Sequence, residues 1–341
     1  MFRLLGILLT VLFAMLTAVL TWPQFFRLEQ TFPVTQMVAS RGLLAAAFLG
    51  VVVLALLLAV ARPLRGFAAS LAIVALLGAG ASAAIGAVRG FAPAALPEKT
   101  GSSVRVLAWN TAGEAVPAEE IARTVVGQGA DIVALPETTE DVGEQIAIML
   151  REQGHPMWVH HVQFRPDVEQ GPDSWQTTIL ISPDLGDYAV VESAADGTSN
   201  TGSVPSVVVM PVDGDGPTVV AVHTVAPRPE DMDGWREDLR WVADQCPGGN
   251  VILAGDFNAT IDHMAGLGVD GGDLGACRDA AARTGAGALG TWPTFVPELV
   301  GAPIDHVMAT DQWRPSGSQV LPAAGGSDHR ALITQLEPVA P

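Results

Sequence analysis

Three stretches free of charged residues occupy most of the first quarter of the chain: Leu4 to Thr21, Leu43 to Ala61 and Phe67 to Val88. Each is close to the ~20 residues that a helix needs to cross the hydrocarbon core of a bilayer. The pattern therefore predicts spanning helices at about 4–21, 43–61 and 67–88. A cleaved signal peptide competes for the first run and buried core helices for the others. However, no small-residue cleavage site follows the first run, and Trp22, Pro23, Phe25 and Phe26 resemble an interfacial exit. With no charge inside the spans, nothing suggests an ion path. The Gly and Ala of the third run suit close helix packing, and the bundle reads as an anchor over residues 1–90.

After a Pro- and Ala-containing linker at 91–102, the pattern changes to short apolar runs separated by polar or helical stretches. Strands are predicted at Val104 to Trp109, Asp131 to Pro136, Thr177 to Ser182, Val207 to Val212, Thr218 to His223, Asn250 to Gly255, Ile304 to Ala309 and Ala331 to Leu336. Amphipathic helices are predicted from Pro117 to Gly127 or Gly129, from Asp141 to Gln153 and from Asp231 to Asp244. Many short strands and few helices over residues 103–338 imply two sheets packed face to face with helices outside.

Charge divides the chain at the same place. Residues 1–95 carry six Arg and one acid, whereas residues 96–341 carry 12 basic groups against 35 acids, a formal charge of −23. Such a domain lacks the basic footprint of a nucleic-acid-tracking surface. Three spans put the chain ends on opposite sides. The tight turn holding Arg62 and Arg65 is the better cytoplasmic retention signal, which puts the acidic domain outside the cytoplasm. Cys246 and Cys277 are the only cysteines; a disulfide and two buried thiols both fit them.

The polar residues that stand out lie at predicted strand ends: Asn110, Glu137, His223, Asp256, Asn258, Asp305 with His306, and Asp328 with His329. Taken singly, each has a structural explanation as a turn former, a helix-entry carboxylate or a core histidine. Together, the ordered series WN, PE, HTVAP, GDFNA, TWPT, IDHV and GSDHR resembles the endonuclease/exonuclease/phosphatase superfamily over roughly residues 103 to 338. That group includes pancreatic-type deoxyribonuclease, abasic-site endonucleases, neutral sphingomyelinases and inositol-polyphosphate 5-phosphatases. The chain resembles more closely the membrane-anchored bacterial members with a few N-terminal spans.

The resemblance implies a four-layered α/β/β/α sandwich, here preceded by an N-terminal bundle of three transmembrane helices. It also implies metal-assisted hydrolysis of a phosphoester, with Mg²⁺ as the ion and Mn²⁺ as the alternative. Asn110, Glu137 and Asp328 would hold the metal, and an Asp328–His329 dyad would activate water. Asp256 and Asn258 would orient water and phosphate, and His223, held by Asp305, would assist the leaving oxygen. Arg228 and Arg330 are the nearest candidates for binding substrate phosphate. His306 should face away from Asp305 and serve packing or the surface. His160 and His161 read as a solvated pair, and Trp109, Trp292 and Phe295 as core or cleft wall. The charge balance favours a small or lipid-linked phosphoester over a nucleic acid. A surface nuclease and a catalytically silent binding protein are the alternatives.

Overall fold

The computed structural model describes residues 2–92, 95–168 and 171–339; Pro93 and Ala94 of the expected linker lie outside them. Helix α1 (Phe2–Thr21) leads into two short helices, α2 (Pro23–Phe26) and α3 (Val34–Val38). The long helices α4 (Arg41–Leu58) and α5 (Arg65–Arg89) follow. Among the described residues, three helices are long and apolar enough to cross a membrane. Ser40 starts α4 by accepting the Leu43 N–H at 3.1 Å. Small residues of α5, Ala75, Gly78, Ala79 and Ser82, are buried against α1 and α4, as the composition of the third run predicts.

The remaining strands and helices run in chain order as follows. The first half holds β1 (Val104–Ala108), α6 (Ala118–Gln128), β2 (Ile132–Pro136), α7 (Glu140–Glu152), β3 (Trp158–Gln163), β4 (Gln176–Ile181), β5 (Tyr188–Val190), α8 (Glu192–Ala195) and β6 (Val207–Pro211). The second holds β7 (Thr218–His223), α9 (Met232–Asp244), β8 (Val251–Asp256), α10 (Ile261–Met264), β9 (Arg278–Asp279), α11 (Ala280–Arg283), β10 (Asp305–Ala309), β11 (Trp313–Val320) and β12 (Leu332–Pro338). They form two six-stranded sheets, ordered β11-β12-β1-β2-β4-β3 and β5-β6-β7-β8-β10-β9. The eight predicted strands and three predicted helices all form. β3, β5, β9 and β11 are additional; β5 and β9 have three and two residues, and β11 carries Pro315 and a register shift before Gly317.

Three apolar clusters make the layers. Inward faces of both sheets meet through Val106, Ile132, Val219 and Ile252. The outer face of the first sheet packs under α6 and α7 through Leu107, Val133, Ile121 and Ile146. That of the second packs under α9 through Val220, Leu253, Trp235 and Leu239. The result is the expected α/β/β/α sandwich.

Each sheet contains one parallel pair joined by a helical crossover: β1 with β2 through α6, and β7 with β8 through α9. Antiparallel neighbours complete both centres, β12 on β1 and β10 on β8. An antiparallel strand begins where its partner ends. The carboxyl ends of β1, β2, β7 and β8 and the amino ends of β10 and β12 therefore share one edge of the sandwich.

The N-terminal helices are clamped to this body. Asp262 of α10 pairs with both Arg41 at the start of α4 and Arg89 at the end of α5, each at 2.8 Å. Arg41 also donates to the carbonyl of Leu20 at 2.8 Å, which ties in the end of α1. A β-carbon at Gly42 would overlap the carbonyl oxygen of Leu299, so a glycine is required where α4 meets the domain. The segment after α5 also lies on the domain: Ala92 N donates to Gly285 O at 3.1 Å, and Lys99 pairs with Asp131 at 2.6 Å.

Candidate active site

The shared sheet edge forms the floor of a cleft of about 760 Å³ lined by Asn110, Glu137, Asp256, Asn258, Asp328 and His329, with Arg228 and Trp292 also on its walls. A smaller cavity of about 320 Å³ beside α6 holds none of these groups.

Asn110 follows β1 and Glu137 follows β2; the Asn110 amide donates to Glu137 Oε1 and to Asp256 Oδ2, both at 3.1 Å, bridging the two sheets. His223 and Asp256 are in-register neighbours at the ends of β7 and β8, and Asp305 opens β10 opposite Asp256. His223 Nε2 lies 3.8 Å from Glu137 Oε1. His329 Nδ1 is 2.8 Å from Asp305 Oδ2, and its Nε2 is 3.8 Å from Asp256 Oδ2. Glu137 and Asn258 have φ of 59° and 44°, a left-handed backbone that costs energy in a non-glycine residue and concentrates at functional sites.

Burial sets the electrostatics. The Glu137 carboxyl is pushed above its ordinary range by desolvation, against the Asn110 hydrogen bond and the charge of His329. Desolvation also raises Asp256, opposed by His329 and reinforced by Asp305. His223 is lowered to about 3 by burial and by the neighbouring His329, so it is neutral. Burial alone would lower His329, but the carboxylates of Asp305 and Asp256 outweigh it and raise its basicity. His223 Nδ1 and Asp305 Oδ1 are buried without a hydrogen-bond partner.

Several expectations from sequence change here. Asp305 holds His329 rather than His223. Asp328 does not hold His329: its Oδ1 is 4.0 Å from His329 Nε2, its side chain is 57% exposed, and its Oδ2 accepts the Trp292 indole N–H at 2.9 Å. The imidazole is left to Asp305, the carboxylate that opens β10. Asn110 Oδ1 accepts the Ala112 N–H at 2.9 Å, which uses one of the two lone pairs of the amide oxygen. Arg330 is not a phosphate binder; it is buried and donates to the carbonyls of Gly290, Pro293, Thr294 and Val296. Arg228 lies exposed at the rim.

His306 is a packing residue: it is buried between Asp279 Oδ2 at 2.6 Å and Ala259 O at 2.8 Å. His160 and His161 are half-buried rather than solvated, and His161 Nδ1 pairs with Thr178 Oγ1 at 2.9 Å. Trp109 is core, whereas Phe295 is 84% exposed. Cys246 and Cys277 form a disulfide between the end of α9 and the segment before β9. Sequence reasoning missed Ser327, whose hydroxyl donates to Asn110 O at 2.7 Å and accepts the His329 N–H at 3.0 Å. It also missed Thr35, Gln36 and Ala39, which line the cleft from the connector between α1 and α4. No motif marks that connector.

Hard oxygens crowd this floor with too little positive charge. Ligating atoms of Asp256, Asp305 and His329 lie within 4.8 Å of one another, and Glu137 joins Asp256 through the same amide. Two carboxyls raised by burial and an orphaned carboxylate oxygen fit a hard divalent cation.

Residues 107–329 match the sequence model described as "Endonuclease/Exonuclease/phosphatase family". No curated protein matches the chain. Among solved structures, the chain is similar to humanized D. rerio TDP2 at 14% identity and TM-score 0.50, covering 69% of this chain and 99% of that one. It is similar to an endonuclease/exonuclease/phosphatase from Beutenbergia cavernae DSM 12333 at 19% identity and TM-score 0.49, covering 70% and 72%. The human Nocturnin catalytic domain with bound sulfate aligns at 14% identity and TM-score 0.48, covering 73% and 100%. At these identities the likeness is one of fold.

Proposed function

Since the chain belongs to the endonuclease/exonuclease/phosphatase family, we propose that it is a membrane-anchored, Mg²⁺-dependent phosphoesterase acting on a small or lipid-linked phosphoester outside the cytoplasm. The observation that carries this reading is the convergence of Glu137, His223, Asp256, Asp305 and His329 from five strand ends on one cleft floor. A silent binding protein would have no need of five charged or basic groups at one buried edge, given what their desolvation costs.

Glu137 and Asp256, with Asn110 between them, would hold the metal, which would neutralise the carboxylates and polarise a phosphoryl oxygen. Asp305 takes the Nδ1 side of His329 and fixes the ring, leaving Nε2 to accept a proton from the attacking water. Without a cation the carboxylates around the ring hold it protonated, and a divalent ion beside Asp256 would offset their charge and free Nε2 for the role of base. Asn258, whose amide donates to Thr224 O at 2.8 Å and Asp256 Oδ2 at 3.3 Å, holds the floor in shape. Neutral His223 stands across Glu137 and would donate to a phosphoryl or leaving oxygen.

The orientation is supported by charge. Arg41 and Arg89 share the single carboxylate of Asp262, whereas Arg3, Arg62 and Arg65 on the opposite face form no carboxylate pair among the described residues. Reporter fusions after Lys99 should therefore signal outside the cytoplasm. For activity, the full chain would be assayed with bis(4-nitrophenyl) phosphate, plasmid DNA, phospholipids and polyprenyl phosphates. Turnover should vanish with a chelator, return with Mg²⁺ or Mn²⁺, and be lost in His329→Ala with an unchanged circular-dichroism spectrum. Full activity in that variant would refute the mechanism.

A further inference from the structure

We propose that the substrate is a lipid-linked phosphoester that reaches the cleft from the bilayer, along a lip formed by Trp292 to Val300 and facing a wall supplied by the anchor itself. This deepens the phosphoesterase reading and rests on it for the chemistry.

The wall is the connector between the first two spans. Thr35 and Gln36 line the same cavity as Glu137 and His329. They are fixed there: Gln36 Nε2 donates to Pro227 O at 2.5 Å, and His263 Nε2 donates to Thr35 O at 3.0 Å. A catalytic cleft completed by residues lying between two spanning helices cannot stand far from the membrane surface.

The lip lies at the same level. Its Val300 carbonyl accepts from Ser40, the residue that caps α4, at 2.7 Å, and its Leu299 carbonyl abuts Gly42. The apolar run of that span begins at Leu43, so the lip meets α4 where the hydrocarbon region starts.

Apart from Thr294 and Glu298, whose carboxylate lies 3.9 Å from Arg330, the side chains of the lip are apolar. Phe295 is 84% exposed and Leu299 is 54% exposed, while Trp292 reaches back to Asp328 at the cleft rim. These residues are presented rather than loose. Arg330 fastens the loop by donating to Pro293 O at 3.2 Å, Thr294 O at 3.0 Å and Val296 O at 2.6 Å. An apolar rim continuous with a bilayer-facing helix selects lipid as its occupant, with the phosphate at the cleft floor and the chain passing over Phe295 and Leu299.

The test uses the full chain in phosphatidylcholine nanodiscs and substrates that differ only in the tail: hexadecyl and methyl 4-nitrophenyl phosphate for diesterase action, hexadecyl and methyl phosphate for monoesterase action. The hexadecyl ester should be preferred by about tenfold or more in kcat/KM, because partitioning raises its concentration at the site. In the doubly substituted Phe295→Ser, Leu299→Ser protein this ratio should fall toward one. A spin label on Phe295→Cys, with the disulfide intact, reads depth without activity; oxygen dissolved in lipid should relax it more than a water-soluble nickel chelate does. A water-exposed label, a wild-type ratio near one, or a ratio unchanged by the double substitution overturns the proposal. Absence of His329-dependent turnover of every ester overturns the phosphoesterase reading instead, and the label depth then still decides whether the lip enters the bilayer.

Discussion

His329 has three carboxylates within 4.0 Å, and only one of them sets its geometry. Asp305 bonds Nδ1, whereas Asp256 and Asp328 stand at 3.8 and 4.0 Å from Nε2. Asp305→Asn should therefore cost about 10³-fold in kcat, since a misheld imidazole loses the correct tautomer. Asp328→Asn should cost about tenfold or less. Equal losses in steady-state assays would count against this assignment. His263 offers a second residue-level check. Its Nδ1 accepts the Thr260 N–H at 2.9 Å and its Nε2 donates to Thr35 O, so the ring must be neutral. Burial lowers it from 6.5 to about 4. As pH falls from about 6.5 to about 4, the unfolded chain takes up a proton that the folded one refuses, and stability drops. His263→Gln, whose amide supplies both an acceptor and a donor, should flatten the decline of Tm over that window.

At the scale of elements, one carboxylate gathers the ends of α4 and α5 onto the sandwich, beside the hydrogen bonds of Gln30, Gln36 and Ser40. Burial would raise Asp262, yet Arg89 and Arg41 hold its carboxyl far below the ordinary range, so the clamp persists at any pH at which the domain folds. Asp262→Asn leaves two guanidinium groups facing each other with little water, and should weaken docking by about 3 kcal/mol. We expect a lower Tm in detergent and faster proteolysis near residues 95–102. Unchanged proteolysis would mean that Gln24, Gln30 and Ser40 suffice to hold the anchor. The strands absent from the sequence reading are elements of the same kind of weakness. β11 tolerates Pro315 because it is an edge strand, and its register shift hides the alternation that marks a strand.

For the whole molecule, the charge of −23 beyond residue 95 sets a repulsive field against any polyanion. If DNA is cut at all, kcat/KM for an oligonucleotide should rise as salt increases from about 20 to about 150 mM, because screening removes the repulsion. A steep fall would reveal a cationic track and favour a nuclease. Neutral or lipid-linked esters should show little salt dependence in the same assay.

The long apolar helices, the eight central strands and the three amphipathic helices are legible in the chain because each depends on local periodicity, and so are the residues that gather at strand ends. Their convergence was legible only through the ordered motifs. Which carboxylate holds His329 was not: Asp328 is its neighbour in sequence, but its carboxylate lies 4.0 Å from Nε2 and takes the Trp292 indole N–H, while β10 brings Asp305 to within 2.8 Å of Nδ1. The fate of Arg330 and the docking of Gln36 against Pro227 likewise depend on contacts across 34 to 191 residues. Local pattern is written residue by residue and can be read that way; long-range pairing is decided by how sheets stack and where helices land, and the spacing of side chains along the chain carries no record of it.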